Sequence, residues 1–293
     1  VVREGTADTD LASRWFRAAA PWLRIELCLL YFFTAFHKLN ISYFDIDWSC
    51  AAKMHREISA WMPLLPGGNW AQHLGIYGTL IIETAIPVML LFGRTRVAGV
   101  ILGMLFHGLL ALHPHAGLFS FSATMTALFT AFIPLETAAS LRPNERFLKG
   151  WRWGLAIFSG FYILWVVSNW VPWFNIEEQL GVITKVGFLT YYLYLGIGLF
   201  LFIRSIQTRG TEIQSRFEGN SLAYPLLSAF ALLLFLNGFG PYLGLRTQTS
   251  FSMFSNLHTE NGMSNHLIIP SGIQITNWQR DLVEIIDSND PAL

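Results

Sequence analysis

The sequence has few charged residues and almost no cysteine. Asp, Glu, Lys and Arg make up 13% of the 293 residues, against roughly 25% in an ordinary soluble domain. The formal net charge is zero, so the overall balance indicates no nucleic-acid partner. Cys28 falls in the first apolar run and Cys50 in the loop beyond it, which does not favour a disulfide bridge. A cleavable secretory signal is also not expected, because polar, arginine-bearing residues precede the first apolar run.

Apolar and aromatic residues are abundant instead. Hydrophobic residues make up 53% of the chain, with 24 Phe and 11 Trp, more than a soluble domain of this size can bury. A helix that crosses a bilayer needs about 20 mostly apolar residues. The sequence offers seven such runs, at Trp22–Leu39, Leu74–Phe92, Val97–Leu112, Ala116–Pro134, Trp153–Val171, Gly181–Ile203 and Ser221–Phe239. We therefore predict an all-α polytopic integral membrane protein with about seven transmembrane helices.

Basic residues alternate between the segments that connect these runs. They are concentrated in the N-terminal segment and in the second, fourth and sixth connections, at Arg3, Arg14, Arg17, Arg94, Arg96, Arg142, Arg146, Lys149, Arg152, Arg204, Arg209 and Arg216. The third and fifth connections contain no Lys or Arg. By the positive-inside rule, the N-terminus is cytoplasmic and the C-terminus external. The low cysteine content and the short external part favour a bacterial inner membrane.

The chain divides into three parts by composition. Residues 1–21 form a cytoplasmic N-terminal segment, 22–245 a transmembrane helical domain and 246–293 a short external C-terminal segment. In the last part, β-like runs at Ser250–Leu257 and Asn265–Ile269 flank Asn261-Gly262, a strong hairpin signal. We expect a short external β-hairpin that packs on the outer ends of the helices.

Ionisable residues inside apolar runs are costly and often functional. His37 and Lys38 fall at the outer end of the first run, His107 in the outer half of the third, and Glu83 near the middle of the second. Each also has a purely structural interpretation. Lys38 can extend its amine to the interface, a carbonyl can satisfy His107, and a hydrogen bond can hold Glu83. No spacing of histidines follows a metal-binding motif, so we expect no metal.

The segment Tyr31-Phe-Phe-Thr-Ala-Phe-His-Lys-Leu39 resembles the first-helix motif of the vitamin K-dependent γ-carboxylases. The resemblance implies that Lys38 is the catalytic base, while Phe36 stands where the family has Gly. The chain thereby also resembles the wider horizontally transferred transmembrane (HTTM) domain family, which includes these carboxylases.

A second segment extends the resemblance. Leu105–Ser120 is similar to the carboxylase stretch at Phe106, His107, Gly117, Phe119 and Ser120. Further matches are Glu83, where the family has an acidic residue, and the pairs Pro241-Tyr242 and Asn265-His266 near the C-terminus.

The resemblance implies an enzyme of carboxylase or quinol-monooxygenase type. Its cofactor would be a reduced naphthoquinone, either vitamin K or menaquinol-like, and its reaction quinol-dependent oxygenation coupled to carboxylation of a Glu-containing substrate. Lys38, His107 and Glu83 would be catalytic. The cofactor-binding residues would be Tyr31, His37, Phe106, Ser120, Asn265 and His266.

Two other functions stay open because the external C-terminal segment has only about 48 residues, whereas the carboxylases have a large external domain. The chain would then be a quinone- or lipid-binding module without catalysis, or a structural subunit of a larger membrane complex. The expected partners are accordingly the lipid bilayer, a peptide or small-molecule substrate at the external face, and such a complex.

Overall fold

The computed structural model describes residues 4–62, 64–113, 116–132, 177–209, 225–247 and 250–280, with the single positions 149, 153, 156 and 160. This part of the chain is mostly helical and contains no sheet. Its helices are α1 (Glu4–His37), α2 (Ile41–Phe44), α3 (Cys50–Trp61), α4 (Asn69–Leu91), α5 (Arg96–Leu110), α6 (Ala116–Phe129), α7 (Glu177–Arg209) and α8 (Pro225–Gly238). A 3₁₀ turn, Thr130–Phe132, continues α6, and another lies at Ser271–Ile273.

Three described helical stretches are long and apolar enough to cross a membrane. They are Phe16–His37, Asn69–Leu91 and Gly187–Arg204. The stretches Arg96–Leu110, Leu118–Phe132 and Ser228–Gly238 are also apolar but shorter. At 1.5 Å per residue, a 15-residue helix spans roughly 22 Å, less than the ~30 Å hydrocarbon core. The described part therefore supports three spans by length and composition, fewer than the seven predicted. The predicted run Trp153–Val171 lies almost entirely outside the described residues.

The outer faces of the long helices are apolar. On α4, Leu74, Ile81 and Leu91 are exposed, and on α7 so are Leu189 and Phe200. Exposed apolar side chains spread over whole helix faces are the pattern expected where lipid, rather than water, surrounds the helices.

Helix α1 packs against α4, α6 and α8. The main core combines side chains from α1, α4, α5, α6 and α7, including Leu27, Ile86, Met104, Phe129 and Leu195. Close packing at one point requires glycine: a Cβ on Gly103 would collide with the ring of Phe129, which is fully buried and cannot move aside.

A short polar turn ends α1. The Asn40 side chain accepts a hydrogen bond from the Tyr43 amide at 2.8 Å and caps α2, as expected for an N-cap asparagine. The Tyr43 hydroxyl in turn donates to the Ile76 carbonyl at 3.2 Å. These contacts place the end of α1 beside α4.

The predicted external β-hairpin is not formed in the described tail. Its turn is present, since Asn261 and Gly262 both have positive φ, 56° and 71°. The flanking runs are not strands. One backbone bond closes across the turn, from the Asn265 amide to the His258 carbonyl at 3.1 Å, but the Asn265 carbonyl accepts from the Ile41 amide at 3.1 Å. The extended pairing that remains is an isolated bridge between Asn40 and His266. The tail therefore bonds to the end of α1 as well as to itself.

Both cysteines are free, as the sequence predicted.

Candidate functional site

Lys38 and Glu83 form a buried ion pair. The Lys38 Nζ donates to Glu83 Oε2 at 2.5 Å and lies 3.4 Å from the Thr34 carbonyl. The two residues are only 4% and 8% exposed, so neither charge reaches water. Lys38 does not extend to the interface, and Glu83 has the partner that a carboxylate at this depth requires.

His107 is held between two hydroxyl groups. Its Nε2 lies 2.7 Å from the Tyr31 hydroxyl, and its Nδ1 lies 3.4 Å from Ser122 Oγ. His107 is 1% exposed and is surrounded by the rings of Tyr31, Phe106 and Phe129. Hydroxyls, and not the carbonyl of the alternative interpretation, therefore hold the imidazole.

His37 joins α1 to the tail. Its Nε2 is 3.0 Å from the Ser250 carbonyl and its Nδ1 is 2.7 Å from the Tyr242 hydroxyl. A carbonyl only accepts, so Nε2 carries the proton and Nδ1 of the neutral ring accepts from Tyr242. Burial raises the pKa of Tyr242, which keeps this hydroxyl protonated as a donor.

Asn265 and His266 fasten the tail over the same end of α1. The Asn265 amide donates to Ser42 Oγ at 3.0 Å and to the Asn256 carbonyl at 2.8 Å. The His266 Nε2 donates to the Phe36 carbonyl at 2.9 Å, while Nδ1 accepts from the backbone of the two residues 268 and 269. The two side chains therefore hold the tail against the end of α1.

The titration of His266 gives a testable pH dependence. Burial lowers the pKa of His266 below its ordinary value of 6.5, so the unfolded chain binds a proton before the folded one. Stability is then unaffected above about pH 6.5 and falls below it, at most by ~1.4 kcal/mol per pH unit. His266→Gln keeps one donor and one acceptor without titrating. We expect thermal unfolding to show a smaller loss of stability between pH 7 and 5 for this variant than for wild type, because the other buried histidines are unchanged, whereas parallel curves would contradict the assignment.

The remaining predicted residues divide between the site and its surroundings. Phe106 is buried in the core beside His107. Ser120 is exposed, and its carbonyl accepts from Thr124 at 3.0 Å, whereas Ser122 contacts His107. Sequence reasoning missed Ser122 and Asn40. Ser122 lies fifteen residues after His107, on the following helix, and its contact depends on how α5 packs against α6.

A cavity of about 650 Å³ lies between α1 and α4, within the range of small-molecule sites. Its wall is mainly apolar and includes Tyr31 and Phe36. Lys38, Glu83 and His107 do not line it. Tyr31 is thus the residue that both lines the cavity and contacts His107.

Comparison of the chain with protein-family models, with curated proteins and with solved structures finds no match.

Proposed function

We propose that the chain is a membrane-embedded, quinol-dependent oxygenase, coupled to carboxylation of a Glu-containing substrate. The observation that carries this proposal is the Lys38–Glu83 pair, an amine and a carboxylate 2.5 Å apart and enclosed in the helical bundle. A scaffold gains little stability from a buried pair, because desolvation offsets the attraction between the charges. A reaction that moves protons, in contrast, needs such groups.

The cavity fits a naphthoquinone in size and polarity. Its volume of about 650 Å³ and its apolar wall accommodate a fused ring with part of a tail. Tyr31 would contact the ring edge, and Phe36 lines the wall close to Lys38 in sequence. When bound, a reduced naphthoquinone would supply reducing equivalents to oxygen and the strong base that carboxylation of a Glu side chain requires.

The residues of the chain would handle the proton. Lys38 Nζ would first pass the shared proton to Glu83 Oε2 along the existing hydrogen bond and then, as a neutral amine, accept the proton of the hydroquinone. The amine is a base when their shared proton resides on the carboxyl group, so the pair acts as one acceptor. His107 would act through Tyr31, because its Nε2 fixes the direction of the Tyr31 hydroxyl.

The tail would exclude water from this end of the bundle. Asn265 and His266 bond to the polypeptide at the end of α1, and a reaction that forms a strong base needs a site without water.

We orient the chain with its N-terminus in the cytoplasm and its C-terminus outside, in a bacterial inner membrane. Arg94 lies just before α5 and Arg96 is its first residue. The Arg24 guanidinium donates to the Ala131 carbonyl in the 3₁₀ turn after α6. Arg24 and Arg96 line the same cavity, so one end of the bundle is rich in positive charge, as a cytoplasmic end is.

A second candidate is a quinone-binding module without turnover. The observation that favours it is that Lys38, Glu83 and His107 are absent from the cavity wall. Catalysis then requires a rearrangement that brings Lys38 into contact with the cavity, which a binding module does not need.

Turnover with a folded, base-free variant tests the proposal. The purified protein is given reduced naphthoquinone, oxygen and labelled bicarbonate, and oxidised quinone products and incorporated label are measured. We expect products from wild type and none from Lys38→Met/Glu83→Leu, which removes the pair without stranding a charge. Lys53→Met is the matched control, since the Lys53 side chain is 71% exposed.

The other outcomes of this turnover experiment favour different functions. Turnover that survives in the double variant overturns the assignment of the base. Bound quinone without turnover in wild type supports the binding module. The absence of both supports a structural subunit of a larger complex.

A further inference from the structure

The cavity between α1 and α4 has two positively charged residues at one end and no negatively charged residue in its wall. Arg24 comes from α1 and Arg96 from the start of α5. Cys28, Tyr31 and Thr84 are uncharged, and the rest of the wall is apolar. An amphiphile with an anionic head has the complementary distribution of charge.

Neither guanidinium has a carboxylate partner among the described residues. Arg24 donates from Nε and NH2 to the Ala131 carbonyl, at 3.0 and 2.8 Å. Arg96 donates from Nε to the Leu90 carbonyl at 2.9 Å and from NH2 to the Leu91 carbonyl at 3.5 Å. These carbonyls position the guanidinium planes but are neutral, and each group keeps further N–H donors.

Both charges lie where an uncompensated cation is costly. Arg96 is 8% exposed, and Arg24 is half-buried inside the apolar stretch Phe16–His37. Charged residues at such depths pair with an opposite charge or with ordered polar groups. An anion in the cavity would supply the missing opposite charge.

The shape of the cavity argues for a lipid over a free anion. Its wall follows α1 from Arg24 to Phe36, roughly 18 Å at the helical rise per residue. One leaflet of the hydrocarbon core is about 15 Å deep. The groove is therefore long enough to hold an acyl chain over the depth of a leaflet, with its polar end at the arginines.

We propose that this cavity binds an anionic phospholipid, with the phosphate between Arg24 and Arg96 and one acyl chain along α1 and α4. Guanidinium groups bind phosphate oxygens through paired, charge-assisted hydrogen bonds. A neutral quinol would leave both cations uncompensated, so this occupant goes beyond the proposed function; the lipid would compete with the quinol for the same cavity. The lipid would also link α1, α4 and α5, which all contribute to the wall.

Lipid retention by the intact protein tests this site. The protein is exchanged into detergent with equal amounts of phosphatidylglycerol and phosphatidylcholine of identical chains, and retained lipid is measured by native mass spectrometry. We expect wild type to retain phosphatidylglycerol about tenfold over phosphatidylcholine, which corresponds to one charge-assisted contact. Arg24→Gln/Arg96→Gln should lose this preference. Arg94→Gln is the matched control, since Arg94 is exposed nearby and does not line the cavity.

A thermal measurement separates lost binding from lost folding. Phosphatidylglycerol should raise the melting temperature of wild type and of Arg94→Gln, but not that of the double variant. Arg96→Lys is the second variant, to be used if the double variant does not fold. It keeps the charge but loses the planar guanidinium, so it should retain part of the preference for phosphatidylglycerol. Equal retention of the two lipids by wild type would overturn the proposal. Displacement of the lipid by inorganic phosphate alone would also overturn it, because the site would then bind a free anion.

Discussion

Lys38→Met is expected to lower the free energy of unfolding by about 3–5 kcal/mol, because it leaves the Glu83 carboxylate buried without a partner. The pair is short, at 2.5 Å, and both side chains are at most 10% exposed. No other described group donates a hydrogen bond to Glu83, so nothing replaces the amine. Denaturant titration of the purified protein in detergent measures the change.

The loss of stability in Lys38→Met should come from the unpaired Glu83 carboxylate and not from the lost attraction between Lys38 and Glu83. Lys38→Met/Glu83→Leu fills similar volumes with apolar groups, and we expect it to recover most of the loss. Lys53→Met breaks a surface contact with Glu57, 4.0 Å long, and should cost at most about 1 kcal/mol. A double variant as unstable as Lys38→Met would show instead that the pair itself stabilises the fold.

The second large effect is expected at His107 and Tyr31. If His107 orients the Tyr31 hydroxyl toward the cavity, Tyr31→Phe and His107→Gln should each lower kcat about 10²-fold, the usual loss on removing one preorganised donor. Because the two residues act as a unit, the double variant should be little worse than either single one. Ser122→Ala removes a 3.4 Å contact, which is long for a hydrogen bond, and should leave kcat nearly unchanged.

The melting temperature distinguishes a lost orientation of the Tyr31 hydroxyl from a loss of folding in these variants. The melting temperatures of Tyr31→Phe and Ser122→Ala should stay near that of wild type, while kcat separates them. Losses that multiply in the Tyr31→Phe/His107→Gln variant would indicate that the residues act independently. Equal activity of Tyr31→Phe and wild type would remove Tyr31 from the mechanism.

The sequence predicted the helical character and the collection of polar groups at the end of α1. The first two apolar runs correspond to α1 and α4, with α4 at Asn69–Leu91 against the predicted Leu74–Phe92. His37, Lys38 and His266 do meet at one end, because the tail returns to α1. These features could be predicted because the hydrophobic pattern of a run and the position of a residue along it are properties of a single segment.

What the sequence could not predict depends on contacts between segments. The partner of Lys38 is Glu83, and their meeting depends on the packing of α1 against α4. Ser120 and Ser122 differ by two positions and so face different sides of α6; only the packing against α5 selects Ser122. The Asn261-Gly262 signal did predict its turn, but tertiary bonds of Asn265 replaced the expected strands.

The measurement that tests the central claim most directly is anaerobic titration of the purified protein with a soluble reduced naphthoquinone, followed by absorbance. Without oxygen, the spectrum reports the protonation state of the bound hydroquinone alone. We predict that wild type at neutral pH yields the spectrum of the deprotonated form, and that Lys38→Met/Glu83→Leu binds the same compound and leaves it protonated. A hydroquinone that stays protonated on wild type, or that does not bind, would contradict the role of the Lys38–Glu83 pair as proton acceptor.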